Sequence, residues 1–206
     1  MNKEKTRIGV LVSGGGTNLQ ALIDAEAAGV IRSGTIAAVI SNNPDAYALK
    51  RAQNAGIKTF VIPRATPGDR EVFERRLAET LDENGIELIV LAGFMCILSA
   101  QFTDARPGRI INVHPSLIPS FCGKGYYGLR VHEEALRRGV KVTGATVHFV
   151  NSIPDGGEII FQKAVGVLPD DTPESLQLRV MREAEWKILP EAAEKVSESI
   201  QKEKNA

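Results

Sequence analysis

The strongest constraint on the fold is an alternation. Short apolar runs recur through the first half of the chain, and helix-spaced stretches separate them. Arg7–Val12 (RIGVLV), Ile36–Ile40, Lys58–Ile62, Leu88–Leu91 and Ile110–Val113 read as buried strands. Between them, Asn18 to about Ala28 is predicted helical, with Leu19, Leu22 and Ile23 spaced for one face and Gly29 as the stop. A second helix opens at Ser41-Asn42-Asn43-Pro44, runs to about Ala55 and closes at Gly56. A third, capped by Asp69, carries Phe73, Leu77 and Leu81 at i, i+4 and i+8, and Gly85 ends it. An Ala92-Gly93 turn follows the fourth strand. Strands and helices alternating at this spacing make βαβ units. The expected class is α/β, with a doubly wound, mostly parallel sheet and helices on both faces.

Later the pattern changes. A helix is expected from about Gly128 to Arg138. Lys141–Val150 and Glu158–Val167 are then two long strand-like runs joined by Asn151–Gly157, an added pair expected to be antiparallel. Thr172-Pro173-Glu174 opens a final helix with Leu176, Val180, Ala184 and Ile188 on one face. Pro190 is expected to kink it. Residues 1–6 and those from about Glu198 onward are expected to fray. No repeat or linker divides the chain, so one domain spanning 1–206 is the expectation.

Composition excludes several classes. Lys+Arg and Asp+Glu are both 25, so no long polyanion is implied: no nucleic acid partner is expected, and any phosphate site is local. No apolar run approaches the roughly 18 residues of a membrane span. The charged start, MNKEKTR, does not read as a signal peptide. Cys96 and Cys122 have no metal spacing and read as free thiols in a reducing cytoplasm.

Two places carry chemistry. The first is Ser13-Gly14-Gly15-Gly16-Thr17-Asn18, between the first strand and first helix. Glycines let a backbone approach a ligand, and the helix start offers free N–H groups to an anion. A dinucleotide fingerprint would need glycine where Leu19 stands, and an acidic residue near Asn42 and Asn43. A Walker loop would need Gly-Lys-Ser/Thr. A small phosphate, such as a sugar 5′-phosphate, remains, and a ligand-free βα turn is the plain alternative.

The second place is the end of the fifth strand. Asn112 and His114 lie two residues apart in an extended run, so they share a face. Ligands bind open parallel sheets at the carboxyl ends of their strands. Asp155 precedes Gly156-Gly157 in the loop between the late strands. An amide, an imidazole and a carboxylate suit acyl-type transfer to an amine. The carboxylate orients the imidazole and favours its charged form, the amide and imidazole hold an oxyanion, and the carboxylate takes or relays a proton. His148 reads as a packed or rim histidine. A zinc site from His114, His148 and Asp155 lacks any close ligand pair, so no metal is expected. Ser13 and Ser116 lack a nucleophile-elbow context.

Five segments together are specific: VSGGGTNLQALIDA, VLAGFMCILS, INVHPSLIPSF, VTGATVHFV and IPDGGEIIFQKAV. In this order they resemble the phosphoribosylglycinamide formyltransferases, folate-dependent enzymes of purine synthesis. The resemblance runs from about Arg7 to Pro190. It implies a formyltransferase-like doubly wound fold. It also implies 10-formyltetrahydrofolate as a consumed cosubstrate, with no tightly bound cofactor, and glycinamide ribonucleotide as acceptor. Asn112, His114 and Asp155 match the family's catalytic residues. Gly15, Gly16, Thr17 and Asn18 match its substrate-phosphate loop, and Glu185 matches a substrate-holding glutamate, followed here by Trp186 where histidine is usual. Arg70 matches a folate-contacting arginine, and Met95, Cys96, Ile97 and Leu98, with Asn112, match the pterin-reading surface. Many relatives have arginine at Cys96. The loop SFCGKGYYGLRVH after Pro119 is longer and more aromatic than the common form.

The resemblance leaves neighbours to separate. A formyltetrahydrofolate hydrolase would use water as acceptor and carry an extra N-terminal domain. A methionyl-tRNA formyltransferase would carry a C-terminal RNA-binding domain. A non-catalytic phosphosugar-binding module would keep the glycine loop without needing Asn112, His114 and Asp155 together.

Overall fold

The computed structural model describes residues 4–64 and 70–204. The expected cap at Asp69 lies outside them. Seven strands form one sheet: β1 (Thr6–Val12), β2 (Gly34–Ser41), β3 (Lys58–Val61), β4 (Leu88–Leu91), β5 (Ile110–His114), β6 (Val142–Phe149) and β7 (Ile159–Gly166). Their order is β3-β2-β1-β4-β5-β6-β7. The first five run parallel, while β6 is antiparallel to both β5 and β7. The α/β class, the parallel body and the late antiparallel pair are all as expected. Winding outward from β1 to β3 and then restarting at β4 puts the switch point between β1 and β4, where such sheets bind ligands.

Alternation along the strands sorts residues between two cores. Ile8, Val10 and Val12 of β1, with Ile111 and Val113 of β5, join the larger core. The helices over that face are α1 (Thr17–Ala27), α2 (Tyr47–Asn54), α5 (Leu129–Arg137), α6 (Pro173–Val180) and α7 (Trp186–Lys204). Leu11, Ile89, Leu91 and Ile110 face the other way, against Phe73, Leu77 and Leu81 of α3 (Arg70–Glu83) and Phe102 of α4 (Ala100–Asp104). Burying a Leu, Ile or Phe side chain is worth about 1.5–3 kcal/mol. The period-2 sorting thus fixes strand register strongly. It also decides where the polar residues of β5 go. With Ile111 and Val113 committed to one core, Asn112 and His114 must lie on the α3/α4 face.

The last helix departs from the expected pattern: Met181–Glu185 forms a π turn, in which the Trp186 N–H reaches back to the Met181 carbonyl. The extra residue puts Glu185 beside Ala184 on the buried side. Pro190 sits inside α7, which continues through it. A proline cannot supply the bond to the carbonyl four residues back, and the break in the α pattern stands one turn earlier, in the wide π turn. Among the described residues, 4–6 and 198–204 are tied to the body of the protein. Thr6 is already in β1, and α7 continues to Lys204. Ile200 is buried. The Gln201 amide donates to the Glu4 and Ser33 carbonyls at 3.0 and 2.9 Å. Lys204 pairs with Glu87, and Arg109 with Glu203. Helix α4 was not anticipated. It is five residues long and is capped by Ser99, whose hydroxyl accepts from the Phe102 N–H.

Candidate active site

The glycine loop follows β1 at the switch point. Gly16 is left-handed (φ 73°), and a Cβ there would stand 2.6 Å from the Ala48 Cβ of α2. Glycine is thus required both by the turn and by close packing. The Ala48 N–H donates to the Gly14 carbonyl at 3.0 Å, and Arg51 Nε donates to the Gly15 carbonyl at 2.8 Å. These bonds tie the loop to α2 and leave the start of α1 open. Asn18 turns inward, and its amide donates to Glu185 Oε2 at 2.7 Å. Asn18 Oδ1 is buried with no partner among the described residues. Burial pushes the Glu185 carboxyl up from 4.5 to about 7, against the opposing effect of the Asn18 hydrogen bond. Two of the residues assigned to the substrate therefore form one buried pair, and the π turn is what delivers Glu185 to it.

The segment after β4 is tied to the same loop. The Met95 N–H donates to Ser13 Oγ at 2.8 Å, and Ser13 donates to Asn42 Oδ1 at 2.6 Å. Asn42 in turn donates to Cys96 Sγ at 3.2 Å. Cys96 thus spends its side chain on an internal contact. Met95 and Ile97 are exposed, whereas Leu98 is buried in the smaller core. Arg70 donates to the Ile97 carbonyl at 3.2 Å, and the Glu74 carboxylate accepts from the Ser99 N–H and hydroxyl. Helix α3 therefore anchors the segment at two points.

At the end of β5 the polar groups converge. Asp155 stands in a left-handed conformation (φ 55°). Its Oδ2 is 3.5 Å from His114 Nδ1 and its Oδ1 is 3.5 Å from His148 Nε2. Oδ2 also accepts the Gly123 N–H at 2.8 Å. Asn112 Nδ2 lies 3.3 Å from His148 Nε2. The tight Asp155 loop depends on Gly157, where a Cβ would stand 1.7 Å from the Phe149 carbonyl oxygen. Asn112, His114 and Asp155 are thus brought together as expected. His148, read from the sequence as a packed or rim histidine, joins them. Its signal lay in strand pairing: the β5–β6 register sets His148 opposite Asn112 and Thr146 opposite His114. That register is not written in either strand alone.

Protonation follows from the contacts. His114 Nε2 is 2.8 Å from the Phe121 carbonyl, which only accepts, so Nε2 carries the hydrogen. Burial lowers the His114 pKa, outweighing Asp155 and the Phe121 carbonyl, which raise it. The neutral ring therefore has its free lone pair on Nδ1, toward Asp155. Asp155 does pull toward the charged imidazole, as expected, but desolvation by burial outweighs it. For Asp155, burial raises the pKa, but the His148 hydrogen bond, the His114 charge and the Gly123 N–H together hold it below 3.8. It is ionised at neutral pH. His132 is fully buried with neither ring nitrogen partnered among the described residues, and burial lowers it to about 4. Among the described residues, no group of three His, Cys, Asp or Glu is arranged to hold a metal, and no helix is long and apolar enough to cross a membrane.

Residues 6–193 match the formyl transferase family. The chain belongs to that family. It is 42% identical over 181 residues to the phosphoribosylglycinamide formyltransferase of Escherichia coli K12, covering 88% of this chain and 82% of that one. It is 45% identical over 195 residues to the human trifunctional purine biosynthetic protein adenosine-3, covering 95% of this chain but 19% of that protein. The chain spans less than a fifth of the trifunctional relatives it matches. Among solved structures, glycinamide ribonucleotide transformylase 1 of Symbiobacterium toebii superposes with a TM-score of 0.88 at 43% identity, covering 97% of this chain and 94% of that one. The Coxiella burnetii phosphoribosylglycinamide formyltransferase superposes with a TM-score of 0.85 at 44% identity, covering 95% and 89%.

Proposed function

We propose that this chain transfers the formyl group of 10-formyltetrahydrofolate to the amine of 5′-phosphoribosylglycinamide, as a step of purine synthesis in the cytoplasm. The observation that carries the reading is the convergence of Asn112, His114 and Asp155 on one sheet face, beside the switch-point glycine loop. The acceptor's phosphate sits at Gly15–Asn18, at the open start of α1, where free N–H groups favour an anion. Glu185 holds the acceptor from the opposite side of Asn18. The pterin lies against Met95–Leu98 and Asn112, with Arg70 at its rim. The folate is consumed as a cosubstrate, and no cofactor stays bound.

The chemistry is direct attack. The amine nitrogen forms a bond to the formyl carbon, and the carbonyl electrons move onto oxygen. Asn112 Nδ2 donates to that oxyanion. The amine proton passes to the ionised Asp155, directly or through water, and on to His114 Nδ1. His114 thereby becomes an imidazolium as the oxyanion forms, so the buried positive charge appears together with the negative one. Collapse re-forms the carbonyl and breaks the bond to folate nitrogen, which leaves with the proton held on His114, returned through Asp155 or water, and the imidazole becomes neutral again.

The test is product identification. The protein is incubated with both substrates, and the glycinamide product is examined by mass spectrometry. A formylated ribonucleotide supports the reading, and an unmodified one at full folate consumption overturns it.

A further inference from the structure

The loop 116–123 holds both reacting side chains by its main chain. The Phe121 carbonyl takes His114 Nε2, and two residues on, the Gly123 N–H takes Asp155 Oδ2, each at 2.8 Å. Neither contact depends on the side chain at 121 or 123, so the loop's own position matters. That position is set from the sheet. His114, Thr146 and Gln162 face one another across β5, β6 and β7. The Thr146 hydroxyl donates to the Ser116 carbonyl at 2.7 Å and accepts the Ile118 N–H at 3.1 Å. The Gln162 amide nitrogen, on the edge strand, donates to the Ile118 carbonyl at 2.9 Å and to the Thr146 hydroxyl at 3.0 Å. The hydroxyl is thereby saturated, with one bond donated and two accepted. Further along, Ser116 Oγ donates to the Ser120 carbonyl at 2.5 Å, which fixes the turn immediately before Phe121.

We propose that Gln162 is a positioning residue for formyl transfer, acting through the 116–123 loop to set the Nε2–H tautomer of His114 and its placement against Asp155. The assignment rests on the proposed function for its activity readout, but its structural readout does not. Gln162 is exposed and lies outside both cores. Its removal therefore leaves packing intact and frees only the loop. A general base displaced by a fraction of an ångström loses much of its rate, whereas the glycine loop, which none of these bonds reaches, keeps its hold on substrate.

The test uses the full chain with Gln162→Met, which keeps length and removes both donors, and with Gln162→Asn, which keeps the amide but shortens its reach. Imidazole nitrogen NMR of His114 is the first readout. The unmodified protein shows a single Nε2–H form near neutral pH, and Q162M shows a mixture of tautomers. Kinetics is the second: kcat falls about tenfold in Q162M, and less in Q162N, while both KM values stay within about twofold. An unchanged His114 spectrum in Q162M overturns the proposal whatever the rate does. Absence of formyl transfer in the unmodified protein overturns the activity reading instead, and the spectrum still decides the role of Gln162.

Discussion

Replacing Glu185 with glutamine isolates the electrostatic cost of the buried substrate-side pair. Glu185 is 6% exposed, and among the described residues its hydrogen bond is from Asn18. In the folded chain its pKa stands at about 7 against an ordinary 4.5, a rise of about two and a half pH units. A carboxyl raised on folding contributes stability that is full below the unfolded value and is lost as pH climbs through the folded one. At about 1.4 kcal/mol per unit, the loss between pH 4.5 and about 7 comes to about 3 kcal/mol. Glutamine keeps an acceptor for Asn18 and cannot ionise. The expected result is that Glu185→Gln leaves stability near the original at pH 4.5 and exceeds it by about 3 kcal/mol at pH 8. Urea unfolding of both proteins across that range, at constant ionic strength, measures the difference directly. Parallel stability curves for the two proteins would refute the argument, because they would mean that Glu185 ionises as easily folded as unfolded.

The remaining predictions concern the two ends of the cleft. Gly16→Ala places a side chain in a left-handed turn against Ala48 and is expected to destabilise the protein by about 2–4 kcal/mol while raising KM for the phosphorylated acceptor; thermal unfolding with steady-state kinetics checks both. Asp155→Asn should lower kcat by about 10²–10⁴-fold with the fold retained by circular dichroism, and a variant near full activity would remove the proton-relay role. His114 should titrate below 6.5 in the unliganded chain, because burial outweighs Asp155; a midpoint above that value by NMR would contradict the neutral resting ring.

Much of this architecture is readable from local pattern. The β-branched runs and their helical spacers specify a parallel sheet, and the alternation Ile110 to His114 places Asn112 and His114 on one face before any tertiary contact is known. The glycine loop is equally legible, because three successive glycines ahead of Thr17-Asn18 have few structural uses. What stayed hidden was non-local. His148 enters the site through the β5–β6 register, and a single histidine in an apolar strand does not say whether it packs or reaches the site. The π turn changes hydrogen-bonding by one residue without changing the i, i+4 stripe of Leu176, Val180 and Ala184, so the stripe alone suggested an unbroken helix. The clamp on His114 and Asp155 is made by a carbonyl and an N–H, which every residue possesses. The charged C-terminal stretch read as frayed because its polar residues are anchored by partners far off in sequence, such as Glu4, Glu87 and Arg109.

The central claim is that the cluster at the end of β5 serves an amine acceptor rather than water. The most direct measurement is folate turnover with and without glycinamide ribonucleotide, using the same protein and the same 10-formyltetrahydrofolate. Tetrahydrofolate should accumulate only when the acceptor is present, in step with formylated product. Release of formate at a comparable rate in its absence would contradict the account and assign the cluster to hydrolysis.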